Sequence, residues 1–165
     1  CSDTLAHDDG SPGHVGCTMV QVYTGIKSHL TEAFPMKSES QIPQTLLELL
    51  RKRGAPNNLK SDNAKVIMGN QTQDILRNYC IGSKYSEPLQ RNQNQAERRI
   101  QDLKKDMSKC MDRTKTPEKN WLKCIKQMVN QYTLLSYPLL NGKTPLEAAT
   151  GIQPDISAIL YYRWW

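Results

Sequence analysis

Short runs of apolar and β-branched residues occupy the first part of the chain, whereas patterns of helical period fill its last third. Residues 17–24 (CTMVQVYT) and 29–36 (HLTEAFPM) predict two strands, and residues 25–28 between them predict a hairpin turn. Short elements of both kinds alternate through the middle. This order of elements predicts an α/β layered domain built on a mixed sheet.

The middle of the chain carries the signals that bound these elements. Ser40 is the predicted cap of a helix with Pro43 in its first turn, and Gly54 with Pro56 ends that helix. Residues 57–62 predict a short strand that ends in a carboxylate. The remaining predicted elements are a helix at 71–79, a strand at 80–85, helices at 95–113 and 117–136, and a helical turn near 144–150.

The length of 165 residues suits one domain with a single core. No run of 18 apolar residues is present, so no membrane partner is predicted. The chain begins without Met or a leader pattern and stops abruptly after Trp165, which predicts a piece of a longer polyprotein. Residues 1–150 are the predicted domain, and residues 151–165 are a predicted linker toward a missing C-terminal region.

The cysteines and histidines argue against zinc and disulfide chemistry. The five cysteines form no CxxC pair, which predicts reduced thiols in an intracellular protein rather than a disulfide framework. The three histidines form no HxxxH or HExxH arrangement, so zinc catalysis has no support. Nucleotide-binding patterns of the GxxxxGK(S/T) and GxGxxG types are also missing from the sequence.

Most of the net charge of +6 lies in one segment. Residues 97–126 hold ten basic and five acidic residues, a net charge of +5. Basic charge gathered on one element predicts a polyanionic partner, with nucleic acid the commonest. The alternative is a solvated helix surface with salt bridges, and charge alone favours neither.

That segment has two faces at helical period. An apolar stripe comprises Ile100, Leu103, Met107, Cys110 and Met111. A second face, spanning about 60°, comprises Glu97, Gln101, Lys104 and Ser108. A further apolar set predicts either helix core or a dimer surface: Trp121, Leu122, Ile125, Met128 and Val129.

Three carboxylates stand where an α/β sheet brings chain segments together. Asp3 lies at the expected end of a first strand, Asp62 ends the central strand, and Glu97 opens the basic helix. Strand ends in an open α/β sheet converge on a crevice. The alternatives are that Asp62 starts a turn, that Glu97 is a first-turn residue favoured by the helix dipole, and that Asp8 or Asp9 replaces Asp3.

Clustered carboxylates of this kind suit Mg²⁺, a hard cation that prefers oxygen ligands and keeps part of its water shell. Two such ions about 3.5–4 Å apart can activate an attacking oxygen and stabilise a leaving one. Without metal, the carboxylates repel one another. Phosphodiester chemistry on a nucleic acid would use such a site, and the spacing of the carboxylates alone leaves the structural alternatives open.

The chain resembles the integrase cores of copia-type retrotransposons across nearly its whole length. Residues 59–64 (LKSDNA) look like the strand-end motif of the second aspartate, and residues 92–98 (NQNQAER) look like the segment that bears the glutamate. Thirty-four residues separate Asp62 from Glu97, within the narrow range typical of the D,D-35-E pattern. Residues 142–157 look like the ending found after such cores, whereas the match of Asp3 to the first aspartate is short.

The resemblance implies a ribonuclease-H-like three-layer fold with a mixed five-stranded sheet whose first strand is truncated. It implies a polynucleotidyl transferase in which Asp3, Asp62 and Glu97 hold two Mg²⁺ or Mn²⁺ ions. Implied partners are the ends of the element's DNA, target DNA and further copies of the chain, in the nucleus and a cytoplasmic retroelement particle. The residues expected to contact nucleic acid are Lys104, Gln101, Arg98, Asn92 and Asn63.

The chain departs from a full integrase because no His/His/Cys/Cys segment precedes the core and no DNA-binding domain follows it. Metal binding, weak DNA binding and disintegration-type joining are therefore expected, and complete integration is not. One alternative is a non-catalytic DNA-binding or assembly module of a decayed element. Another is a ribonuclease-H-type nuclease of the same architecture, although the loop before Glu97 and the TPLEA ending favour an integrase.

Overall fold

The computed structural model describes residues 1–6, 16–61, 69–85 and 95–157. Five strands within these ranges form one sheet in the order β3-β2-β1-β4-β5. The strands are β1 (Ser2–Ala6), β2 (Met19–Thr24), β3 (Thr31–Met36), β4 (Asn58–Ser61) and β5 (Gly82–Tyr85). The predicted strands and the hairpin after β2 are confirmed.

The central strand is β1, and it joins an antiparallel half of the sheet to a parallel half. It pairs antiparallel with β2, which pairs antiparallel with β3, and it pairs parallel with β4, which pairs parallel with β5. The sheet is therefore mixed, as predicted for an α/β domain. Asp3 is the second residue of β1 rather than its end. Because Leu5 is the one large apolar residue of that strand, no alternation in the sequence marks where the strand stops.

Five helices accompany the sheet in the described residues. They are α1 (Ile42–Arg53), α2 (Asn70–Asn78), α3 (Gln95–Thr114), α4 (Trp121–Leu134) and α5 (Pro145–Thr150). Their positions agree with the predicted helices within a few residues. A 3-10 turn at Glu118–Asn120 precedes α4 and replaces the first turn of the longer helix that the pattern predicts.

The start of α1 differs from its prediction. The cap position is Gln41, without a side-chain hydrogen bond to the helix, and Pro43 lies in the first turn as expected. Ser40 instead lies within a 3-10 turn at Glu39–Gln41 that precedes the helix, and its hydroxyl lies 2.7 Å from that of Ser38. At the other end, Gly54 has φ 83° and closes α1 with a bond from its N–H to Leu50, a conformation that glycine adopts without strain.

Helices cover both faces of the sheet, which gives three layers. Residues of β2 alternate between the faces, so that Val20 and Val22 contact one core and Tyr23 contacts the other. The core between the sheet and α1 and α2 contains Tyr23, Leu46, Leu50, Leu59, Leu76 and Ile81. The core on the opposite face contains Leu5, Val20, Val22, Ile100, Leu103, Trp121, Leu122, Ile125, Met128 and Val129.

The apolar stripes predicted for α3 and α4 both belong to this second core. The stripe of α4 is buried within the chain, so it forms helix core rather than a dimer surface. All five cysteines are free thiols. Among the residues that the structure describes, the helices lack the length and apolar character that crossing a membrane would require.

Candidate active site on the α3 side of the sheet

Asp3 projects from the central strand toward the layer that α3 and α4 form. Asp3 pairs with Val22 of β2, and Leu5 pairs with Val20. Directly paired residues of neighbouring strands share one face of a sheet. Because Leu5, Val20 and Val22 all belong to the core beneath α3 and α4, the side chain of Asp3 lies on that face.

Helix α3 lies against β1 and carries Glu97 in its first turn. One turn after Glu97, Ile100 packs in the same core as Leu5 of β1, and Leu103 follows on the same stripe. Both contacts are on the face of the sheet that carries Asp3. The helix that bears Glu97 is thus fixed to the strand that bears Asp3.

The strand and the helix also run in the same direction. Ala6, the last residue of β1, lines a groove with Lys104 and Ser108 from the later part of α3. The earlier part of β1 therefore lies level with the earlier part of α3. Asp3 lies three strand residues before Ala6 and Glu97 lies seven helix residues before Lys104, and each span is about 10 Å. Asp3 and the first turn of α3 therefore lie at the same end of the interface between sheet and helix.

Asp3 lies on β1, the strand at which the chain crosses from one half of the sheet to the other. Strand β1 leads to β2 on one side of the sheet, whereas α1 carries the chain to β4 on the other side. The crevice at such a point is where α/β proteins bind ligands. Strand β4 ends at Ser61, which pairs with Ser2, and β1 continues past that end from Asp3 onward. Three predicted residues lie outside the described part of the chain: Asp62, Asn63 and Asn92.

Two of the predicted nucleic-acid contacts on α3, Gln101 and Lys104, share the edge of Glu97, whereas Arg98 lies about 100° around the helix axis from Glu97. Gln101 and Arg98 are exposed, and Lys104 is half-buried. Lys104 and Ser108 line one groove of about 650 Å³ that extends to Thr116 beyond the end of α3. A carboxylate, an amide and a lysine follow one another along this edge, which suits a metal site that continues into a phosphate-binding surface.

Arg99 is a residue that the sequence reasoning missed. Its side chain is buried, with 6% of its surface exposed, although arginine is rarely buried. It lies against two aromatic rings from α4 and the segment that follows. The one signal that could have indicated burial is its position next to Ile100, on the edge of the apolar stripe.

The donor set of this region fits a hard divalent cation in its chemistry. Asp3 on the sheet and Glu97 on the helix that packs against it both carry carboxylate oxygens. Within the described part of the chain, the buried side-chain carbonyl oxygen of Gln95, at the start of α3, has no hydrogen-bond partner. Such oxygens are the ligands that Mg²⁺ prefers. Within the described residues, no three His, Cys, Asp or Glu side chains form a metal-binding group, and the third predicted ligand, Asp62, is not among those residues.

The fold is ribonuclease-H-like, with the mixed five-stranded sheet and helical layers of integrase catalytic cores. The chain is similar to the HTLV-2 integrase catalytic core domain in complex with magnesium. For the trimeric form the TM-score is 0.68 at 14% identity, covering 90% of this chain and 93% of that chain. For the dimeric form the TM-score is 0.68 at 15% identity, covering 92% and 93%.

A third similar structure is the simian T-cell lymphotropic virus intasome in complex with PP2A regulatory subunit B56 gamma. The TM-score is 0.73 at 15% identity, covering 93% of this chain and 54% of that chain. No protein-family model matches the sequence, and no curated protein matches it either. At identities this low, the likeness establishes the fold.

Proposed function

We propose that this chain is the catalytic core of a retroelement integrase of the copia type, which cuts and joins DNA with the help of divalent cations. The observation that carries the proposal is the placement of Asp3 on the α3 face, at the same end as Glu97 and beside the end of β4. Asp62 is the residue that follows β4 in the sequence. The similar HTLV-2 core is a complex with magnesium, which supports a metal-dependent reaction.

In this proposal Asp3, Asp62 and Glu97 hold two Mg²⁺ or Mn²⁺ ions. Ions held by these residues would supply activation of an attacking oxygen and stabilisation of the leaving oxygen for an in-line displacement at phosphorus. The attacking group is water when a DNA end is processed and a DNA 3′-hydroxyl when strands are joined. The role of the three side chains is to fix the position of the ions relative to the scissile phosphate.

The edge of α3 that follows Glu97 is the proposed path of the DNA backbone. Gln101 and Lys104 lie one and two turns along from Glu97 on the same face, and Arg98 is exposed next to Glu97 in the sequence. Asn63 and Asn92, which flank the second and third carboxylates in the sequence, would orient phosphates or the loop before α3. Positive charge along this edge attracts phosphate without reading base sequence.

Three broader features belong to the same proposal. Residues 1–150 form the integrase core, and residues 151–165 form a linker. The chain acts as a homo-oligomer on element ends and target DNA, which is supported by the dimeric and trimeric forms of the HTLV-2 core and by the simian virus intasome. The place of action is the nucleus and a cytoplasmic retroelement particle.

Lys104→Gln is expected to weaken DNA binding to the same degree for every DNA sequence. Loss of one phosphate contact should reduce the slope of log affinity against log salt concentration by about 1. Lys123→Gln removes an equal charge from an exposed position on α4, away from this edge of α3, and serves as the matched control. Fluorescence anisotropy at several salt concentrations measures both slopes, and equal slopes for the two variants would contradict the assignment of Lys104.

The metal site is tested by titrating the protein with Mn²⁺ and following free Mn²⁺ by electron paramagnetic resonance. We expect two bound ions, and at least about tenfold weaker binding in Asp62→Asn because one ligand is lost. Asp74→Asn is the control, since Asp74 is an exposed carboxylate of α2 that pairs with Arg77.

Other outcomes separate the alternative functions. A chain that binds DNA but no Mn²⁺ would be a non-catalytic assembly module. A chain that binds Mn²⁺ and cleaves an RNA–DNA hybrid in preference to duplex DNA would be a ribonuclease-H-type nuclease.

A further inference from the structure

Arg99 is a buried cation whose guanidinium lies over two aromatic rings. Its guanidinium carbon lies 4.7 Å from the centre of the Tyr132 ring and 5.5 Å from that of Tyr137. No ion pair between described residues involves Arg99. Burying a charge is costly unless the charge is compensated, and the faces of two tyrosine rings provide such compensation through cation–π attraction.

Both rings are themselves held in place. The hydroxyl of Tyr132, in α4, donates a hydrogen bond to the carboxylate of Asp106 in α3. Burial, together with this bond to Asp106, raises the pKa of Tyr132, so the phenol remains a donor. The first aromatic partner of Arg99 is therefore tied back to α3 about two turns further along that helix.

The second ring joins the cluster to the hairpin between β2 and β3. The backbone N–H of Tyr137 donates to the carbonyl of Lys143 at 3.0 Å, and the ring centre of Tyr137 lies 4.8 Å from that of His29. His29 has φ 55° at the end of the hairpin loop. Burial and the nearby Arg99 lower the pKa of His29, which favours its neutral form beside the guanidinium.

The cluster acts on the part of α3 that carries Glu97. Arg99 follows Glu97 by two residues, which corresponds to about 200° around the helix axis, so Arg99 does not face the proposed metal site. The apolar contacts of Ile100 and Leu103 are not directional, whereas a guanidinium stacked between two fixed rings resists rotation and sliding of the first turn.

We propose that Arg99 is a positioning residue, which fixes the first turn of α3 through Tyr132 and Tyr137 and thereby sets the direction of the Glu97 carboxylate. The role of Glu97 rests on the proposed function, whereas the anchoring of the turn does not. The two parts can therefore be tested by separate measurements.

Anchoring is tested by hydrogen exchange in Arg99→Met, with Arg99→Lys as the variant that keeps the cation. The informative amides are those of residues 99–103, which donate to carbonyls of the first turn. We expect exchange to be about tenfold faster in Arg99→Met, through loss of a buried cation–π contact, and closer to wild type in Arg99→Lys. Arg98→Met, at an exposed position, should leave these rates unchanged.

Tyr137→Leu provides a second variant that removes one ring and keeps the buried charge. It should speed exchange of the same amides, by less than Arg99→Met does. A fall in melting temperature with unchanged exchange at 99–103 relative to the rest of α3 would overturn the proposal, because Arg99 would then stabilise the protein without fixing this turn.

The consequence for Glu97 is tested by Mn²⁺ titration well below the melting temperature of each variant. We expect Arg99→Met to bind Mn²⁺ several-fold more weakly than Arg98→Met and Arg99→Lys to recover part of the loss. Equal Mn²⁺ affinity in Arg98→Met and Arg99→Met would contradict the positioning role. Absence of Mn²⁺ binding by the wild-type chain, with faster exchange in Arg99→Met, would instead contradict the proposed function and support the anchoring.

Discussion

Replacing Glu97 by glutamine is expected to reduce Mn²⁺-dependent DNA joining by about 100-fold or more. Glutamine keeps the size and helix propensity of glutamate but presents a neutral amide to a cation that prefers charged oxygen ligands. A loss of about 3 kcal/mol in the transition state corresponds to this factor. The assay follows the joining of a branched DNA that mimics the strand-transfer product, on a denaturing gel.

The structure predicts that this substitution leaves the fold intact. Glu97 is half-buried in the first turn of α3, where the favourable interaction of a carboxylate with the helix dipole amounts to about 0.3–1 kcal/mol. Glu39→Gln, an exposed first-turn glutamate of the 3-10 turn before α1, is the matched control and should retain full joining. Undiminished joining by Glu97→Gln would remove Glu97 from the active site and, with it, the proposed reaction.

Local patterns in the sequence predicted the helices well because they depend on neighbouring residues. The stripe from Ile100 to Met111 repeats at helical period over three turns, and the structure packs this stripe against the sheet. Glycine likewise marks the end of α1 because few other residues adopt φ 83°. The cap at Ser40 failed because a 3-10 turn and an α-helix can start at similar sequences, and the choice depends on packing.

The register of β1 could not be predicted because it depends on residues distant in sequence. The pairing of Ser2 with Ser61 joins positions 59 residues apart, and strand pairing at such separation leaves no trace in local periodicity. The side of the sheet that Asp3 faces follows only from its pairing with Val22. Spacing in the sequence thus indicated which carboxylates to consider. The strand pairing shows which face of the sheet carries Asp3, and the packing of α3 on that face relates Glu97 to it.

Burial of Arg99 was beyond sequence reasoning for a different reason. Hydropathy and charge both assign arginine to the surface, and the compensation comes from Tyr132 and Tyr137, which are more than 30 residues away. Each charged residue of a basic segment therefore has to be assigned to the surface or to the interior from its position in the fold. Arg98 is exposed, so the proposed DNA path can include it, whereas its neighbour Arg99 is buried against the ring of Tyr132.

Trp121→Ala is expected to lower the free energy of unfolding by about 3–5 kcal/mol, the usual cost of deleting a fully buried aromatic side chain. Trp121 begins α4, is 0% exposed and shares a core with Leu5 of β1 and Leu103 of α3. Since a domain of this size has a total stability of about 5–15 kcal/mol, the loss would be a large fraction of it. Urea unfolding followed by circular dichroism measures the change.

Two control variants show whether the loss of stability depends on the deleted side-chain volume and on the buried position of Trp121. Trp121→Phe keeps an aromatic ring and leaves a smaller cavity, so it should cost less than Trp121→Ala. Lys123→Ala, at an exposed position on α4, should change stability by less than about 0.5 kcal/mol. Because the core around Trp121 holds α3 against β1, Trp121→Ala should also weaken Mn²⁺ binding at temperatures near its midpoint while Lys123→Ala does not. A loss below about 1 kcal/mol would mean that α4 packs less closely against β1 and α3 than this core requires.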